Sequence, residues 1–176
     1  MPFGYYNRLS AARQRTYRQS DSVEKLDLPA GVDYAAKVAR IRETLARENR
    51  AGVQAASQDL IDALTAGYRV PPIRTRVLAR RPADDSGELH GLYEPDDEGA
   101  PARITVWMRT AARRDVVAFK TFLRTLIHEL CHHLDYELFK LPETFHTEGF
   151  YKRESSLVNA LLHEESIAAD PQRRLI

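Results

Sequence analysis

The sequence predicts an α+β domain, and three observations lead there. Apolar residues recur at helical spacing over the first third of the chain and again over the last third. Between them lie short β-branched and aromatic segments separated by Pro, Gly and acidic residues. The length, 176 residues, suits one domain. Helices, then strands, then two helices make a compact α+β arrangement.

Residues 1–20 hold Arg8, Arg13, Arg15 and Arg18 and no acid, so residues 1–30 read as a basic N-terminal arm or helix preceding a single domain over residues 31–176. Over residues 33–50, Tyr34, Val38, Ile41 and Leu45 form one apolar stripe. Val53, Ala56, Leu60, Ile61 and Leu64 continue a second helical pattern, with Gly67 as its expected C-cap. Val70-Pro71-Pro72 then breaks the chain. Arg76–Arg81, Leu89–Tyr93 and Arg103–Met108 read as strands of a small mixed or antiparallel sheet, Ile104–Met108 being the best of them. The helical period returns at Asp115, an expected N-cap. Val116, Phe119, Leu123, Leu126, Leu130 and Leu134 form its apolar face to about Phe139, and Leu141-Pro142 ends it. A loop over residues 142–149 leads to a last helix from about Phe150, buried through Leu157, Val158, Leu161 and Leu162 and stopped by Asp170-Pro171.

Composition narrows the function. A hydrophobic fraction of 43% with 29% charged residues is that of a folded protein, and a net charge of +1 gives no global argument for a nucleic-acid or membrane partner. The acidic stretch over residues 84–98 reads as a solvated loop. Cys131 stands alone, which excludes an internal disulfide and a Cys-rich zinc finger; it reads as a small packing residue. No apolar run reaches the roughly 18 residues of a spanning helix, and the N-terminus lacks an apolar signal core, so a cytoplasmic location is expected.

The chemistry is carried by Thr125–Phe139, which contains His128-Glu129-Leu130-Cys131-His132 on the predicted helix. Four residues advance a helix by about 400°, leaving the two imidazoles about 40° apart and about 6 Å along the axis. Both then reach one Zn2+ ion at about 2.0–2.1 Å, with Glu129 beside them to act on a water that the ion activates. A catalytic zinc needs a third protein ligand. His146, in the loop beyond the helix, is the first choice, Glu154 on the last helix the alternative, and Glu148 a third candidate. His133 is rotated about 100° from His132, off the metal face, and His90 and His163 read as surface or core residues. Asp135, three residues after His132, is a candidate for orienting an imidazole, with an ordinary exposed helix acid as the equal alternative. Tyr151 and Arg153 are weaker candidates for stabilising an oxyanion.

HELCHHLDY followed by FHTEGF resembles the SprT-like zinc metallopeptidases, in which a loop histidine and an aromatic four residues later follow H-E-x-x-H; here these are His146 and Phe150. The resemblance covers about residues 70–162. It implies a zincin-like domain with an active-site helix, His128, His132 and His146 as zinc ligands, and Glu129 as general base. Thr147 stands where that family usually has Gly. A second resemblance, to glutamate zincins of the ImmA/IrrE type, would make Glu154 the third ligand. Zincins as a class also imply that the strand before the metal helix lines the cleft, which makes Ile104–Met108 the expected substrate-pairing edge and Trp107 a candidate substrate contact, with a core Trp the favoured alternative. The expected function is therefore zinc-dependent hydrolysis of a protein or peptide. The alternative is a non-catalytic zinc module that touches nucleic acid through Arg8, Arg13, Arg15 and Arg18, since SprT-like proteins are associated with DNA-bound substrates.

Overall fold

Among the described residues, four of the five α-helices begin at a residue whose side chain takes up a free backbone N–H. Ser10 accepts from Arg13 ahead of α1 (Ala11–Asp21), Asp33 from Ala36 ahead of α2 (Tyr34–Ala46), and Asn49 from Gly52 ahead of α3 (Arg50–Tyr68). Thr147 accepts from Phe150 ahead of α5 (Glu148–Ala169), whereas α4 (Phe119–Glu137) starts after Ala118 with no side-chain cap. The structure, a computed structural model, describes residues 3–84, 87–97 and 99–170. Among them no helix is long and apolar enough to cross a membrane. Asp85, Glu98 and Pro171, which entered the sequence reading above, lie outside the described residues.

Two expected boundaries move. Gly67 lies inside α3, whose C-cap is Arg69 in the left-handed region (φ 57°). Gly67 is small for another reason: a Cβ there would stand 2.4 Å from Pro29. Asp115 is not a helix cap. The chain from Asp115 to Val117 runs beside the end of a strand, with Val117 N–H on Met108 O (2.7 Å) and Thr110 N–H on Asp115 O (3.0 Å). Val116 and Val117 therefore reach the core from extended backbone, and α4 begins at Phe119.

The strands are β1 (Arg74–Arg80), the short pair β2 (Ala83–Asp84) and β3 (Gly87–Glu88), β4 (Gly91–Glu94) and β5 (Arg103–Arg109). The main sheet is mixed, in the order β1-β5-β4. β1 runs parallel to β5 with Val77 opposite Val106, and β4 runs antiparallel to it with Gly91 opposite Val106. Ile104–Met108 is thus the central strand and is paired on both sides, which overturns its expected role as substrate edge. Two members of the acidic stretch are also in ion pairs, Glu88 with Arg81 and Glu94 with Arg103.

The outer edge of β1 is closed by side chains of α3. Gln58 accepts from Thr75 N–H (2.7 Å) and donates to Ile73 O (2.9 Å). One turn earlier, Gln54 accepts from Val77 N–H (2.7 Å) and donates to Thr75 O. A helical turn of about 5.4 Å and two strand residues of about 6.6 Å are close enough for this repeat to stay in register. The other edge of the sheet, β4, lies against α4 and faces a cleft. Ile104, Val106 and Met108 join Val77 and the buried faces of α2, α3, α4 and α5 in one core.

Candidate metal centre

The rotation of α4 is set by its buried residues Leu123, Leu126, Ile127, Leu130, Cys131 and Leu134, all fully inside the core. That leaves His128 and His132 on the face towards the cleft, which has a volume of about 1040 Å³. His146 comes from the connection between α4 and α5, held between buried Phe145 and Thr147. Thr147 caps α5 with its hydroxyl on Phe150 N–H at 2.9 Å, a role glycine could not fill.

The three imidazoles meet through their Nε2 atoms. His128 and His146 are 3.0 Å apart at Nε2, His132 and His146 3.1 Å, and His128 and His132 3.3 Å. Nitrogens about 2.0–2.1 Å from a shared tetrahedral ion lie about 3.3–3.4 Å apart, so the triangle is close to the size that zinc requires. The tautomers follow from the other ring nitrogens. His128 Nδ1–H donates to Glu154 Oε2 at 2.8 Å. Thr144 spends its hydroxyl proton on Asp135 Oδ2 at 2.7 Å, so its oxygen accepts from His132 Nδ1–H at 2.8 Å. With these Nδ1 atoms engaged, His128 and His132 turn their Nε2 atoms inward. Burial above all keeps His132 neutral down to about pH 3, and burial also lowers the pKa of His146. Three ring nitrogens facing one another at this spacing make a group that can hold a metal ion.

Glu129 lies next to the triad, 6% exposed, and burial pushes its carboxyl up to about 7. It accepts the backbone N–H of Tyr93 on β4. It also leaves no room for a side chain at position 91, where a Cβ would stand 2.3 Å from its Oε1. Glu154 is 3% exposed and bridges His128 and Arg124 (2.6 Å), so both carboxylate oxygens are engaged outside the triad.

The remaining expected residues are placed as follows. Asp135 acts on His132 through Thr144, and its other oxygen pairs with Arg153 at 2.5 Å. Arg153 is wholly buried beneath the site, which overturns an oxyanion role for it, whereas Tyr151 lines the cleft and stacks on His146 at 5.8 Å. Trp107 is buried in the central strand and is absent from the cleft lining, the position of a core residue. His133 is buried off the metal face, bonded to Pro71 O and Tyr93 Oη, and Cys131 is fully buried, which pushes its thiol pKa up. His90 is exposed at the cleft and His163 exposed on α5, while Glu148 pairs with Lys152 at 3.1 Å. Thr144, Arg124 and Tyr93 were not found from sequence, and nothing in periodicity marks them. Gly91 carried a signal, a lone glycine in a strand segment, which often marks close approach of another group.

Comparison with protein-family models, with curated proteins and with solved structures gives no match in any of the three.

Proposed function

We propose that this chain is a zinc-dependent metallopeptidase. The observation that carries the reading is the convergence of three imidazoles through their Nε2 atoms, with Nδ1 of His128 engaged by Glu154 and Nδ1 of His132 by Thr144. His128, His132 and His146 would hold the ion through Nε2. Zinc bound there supplies a positive charge that polarises a scissile carbonyl and acidifies water towards neutral pH. Glu129, beside the triad and open to the cleft, takes the proton of the attacking water on its carboxylate and delivers it to the leaving amine. Gly91 and Tyr93 hold that carboxylate against the strand. β4 is the sheet edge left uncovered by α3, and Gly91, Leu92 and Tyr93 line the cleft, so an extended peptide can add alongside it. The SprT-like motifs around His128 and His146 support the same chemistry.

A purely structural zinc site is closed by four protein ligands, whereas this group offers three donors and borders an open cleft, which favours catalysis over a binding module. Of the basic residues proposed for that module, Arg13 pairs with Glu143 and Arg18 donates to Tyr6, while Arg8 and Arg15 are exposed. The test is Glu129→Gln assayed beside the wild type for zinc content and for hydrolysis of denatured protein. Retained zinc with lost hydrolysis is expected; full hydrolysis by the variant would refute the role of Glu129.

A further inference from the structure

We infer that residues 3–23 form a clasp that holds the metal site together, with Arg153 and Tyr5 as its positioning residues. The contacts fall on both sides of His146. Arg13 binds the Glu143 carboxylate through Nε (2.7 Å) and Nη2, and its guanidinium lies over the Phe145 ring at 5.4 Å. Tyr17, 1% exposed, packs its ring against Phe145 at 5.8 Å. Tyr5 Oη donates to the backbone oxygen of His146 itself at 3.3 Å. On the far side, Asp21 accepts the Gly149 N–H at 2.9 Å, and a Cβ at Gly149 would stand 2.1 Å from Asp21 O. That loop therefore has the N-terminal segment as a wall along its whole length.

A second route runs beneath the triad. Arg153 donates from Nη1 to Ser20 O (2.8 Å) and Val23 O (3.2 Å), and from Nη2 to Ser20 Oγ (3.0 Å) and Asp135 Oδ1 (2.5 Å). Asp135 in turn takes the Thr144 proton, and Thr144 orients His132. One buried cation thus ties the carbonyl end of α1, where the helix dipole is negative, to the carboxylate that fixes a ligand imidazole. Removing the segment would free the His146 loop and strip Arg153 of three of these four hydrogen bonds. In this fold a cut that detaches α1 weakens the metal site instead of unmasking it.

Thermodynamic coupling is reciprocal: if the clasp tightens zinc, zinc must tighten the clasp. The experiment measures zinc affinity by competition with a chromophoric chelator, and amide hydrogen exchange of the wild type with and without zinc. The variant Tyr5→Phe/Arg13→Gln removes two contacts at exposed side chains, so the fold is kept. About 10-fold weaker zinc binding is expected, as for other residues that act on ligands at one remove. Zinc is expected to slow exchange in residues 11–21 as well as in residues 142–149. Affinity within twofold of wild type, or no zinc-dependent protection in α1, overturns the clasp. The inference rests on the metal site proposed above, though not on peptidase chemistry. Wild type that binds no zinc overturns both, while zinc held equally by wild type and variant overturns the clasp alone.

Discussion

Thr144 accepts the Nδ1–H of His132 at 2.8 Å while giving its own hydroxyl proton to Asp135 at 2.7 Å. With Asp135 behind it, this hydroxyl engages Nδ1 of His132 and leaves Nε2 facing His128 and His146. A carboxylate in direct contact, Glu154, engages Nδ1 of His128 without an intermediary.

Thr144→Val removes that link with little change in shape. His132 is then free to take the other tautomer, and zinc binding should weaken by about 10–100-fold. Asp135 also loses one donor, which should cost about 1–3 kcal/mol of stability. Chelator competition and urea unfolding read the two effects separately; unchanged zinc affinity would show that the relay does not orient the ligand.

Gly91→Ala should act on the base and leave the metal in place. The new methyl would meet Glu129 at Oε1 (2.3 Å), Cδ (2.8 Å) and Cγ (2.8 Å), so the carboxylate has to leave its place beside β4. Zinc content is expected to stay at the wild-type level while hydrolysis falls by about 10²–10⁴-fold, the span of general-base catalysis. Wild-type rates in the variant would show that Glu129 works from another position.

Glu129→Gln has a consequence for stability as well as for activity. The carboxyl titrates near 4.5 in the unfolded chain and near 7 in the folded metal-free protein, because burial disfavours the charge. A raised folded pKa means that stability is lost as pH rises between those values, and the full penalty is present above 7. Metal-free Glu129→Gln should therefore be more stable than wild type at pH 8, by about 2–3 kcal/mol, and show no such gain at pH 4. Thermal unfolding at the two pH values checks this, and an equal difference at both would contradict it.

The two leading candidates for the third ligand separate cleanly. His146→Ala removes a corner of the triangle and should abolish tight zinc binding. Glu154→Ala leaves all three Nε2 atoms and removes only the partner of His128 Nδ1, so zinc should bind more weakly but still bind. Metal content of both variants, measured side by side, decides it; the reverse pattern would make Glu154 the ligand.

The parts of this arrangement that depend on period and spacing were legible in the sequence. His128 and His132 had to share a helix face because four residues nearly complete a turn, and His133 had to miss it. The helical stripes placed α2, α3 and α5 within a few residues. What failed were features set by contacts distant in sequence. Val116 matches the helical period, yet it bridges to Arg109, and the next residue, Val117, gives its N–H to Met108. Ile104–Met108 is the most strand-like segment because it is buried on both faces, the property that makes it central and unable to be the edge. Arg153 reads in the sequence as a weak candidate for stabilising an oxyanion, and only the fold brings Ser20 and Asp135 to it and buries it. Thr144 precedes His146 by two residues and carries no pattern of its own.

Zinc stoichiometry by elemental analysis tests the central claim most directly, on wild type and on His128→Ala after loading with zinc and dialysis. The account predicts equimolar zinc on the wild-type chain and its loss from the variant. Wild-type protein that retains no ion, or a variant that retains as much, would contradict it.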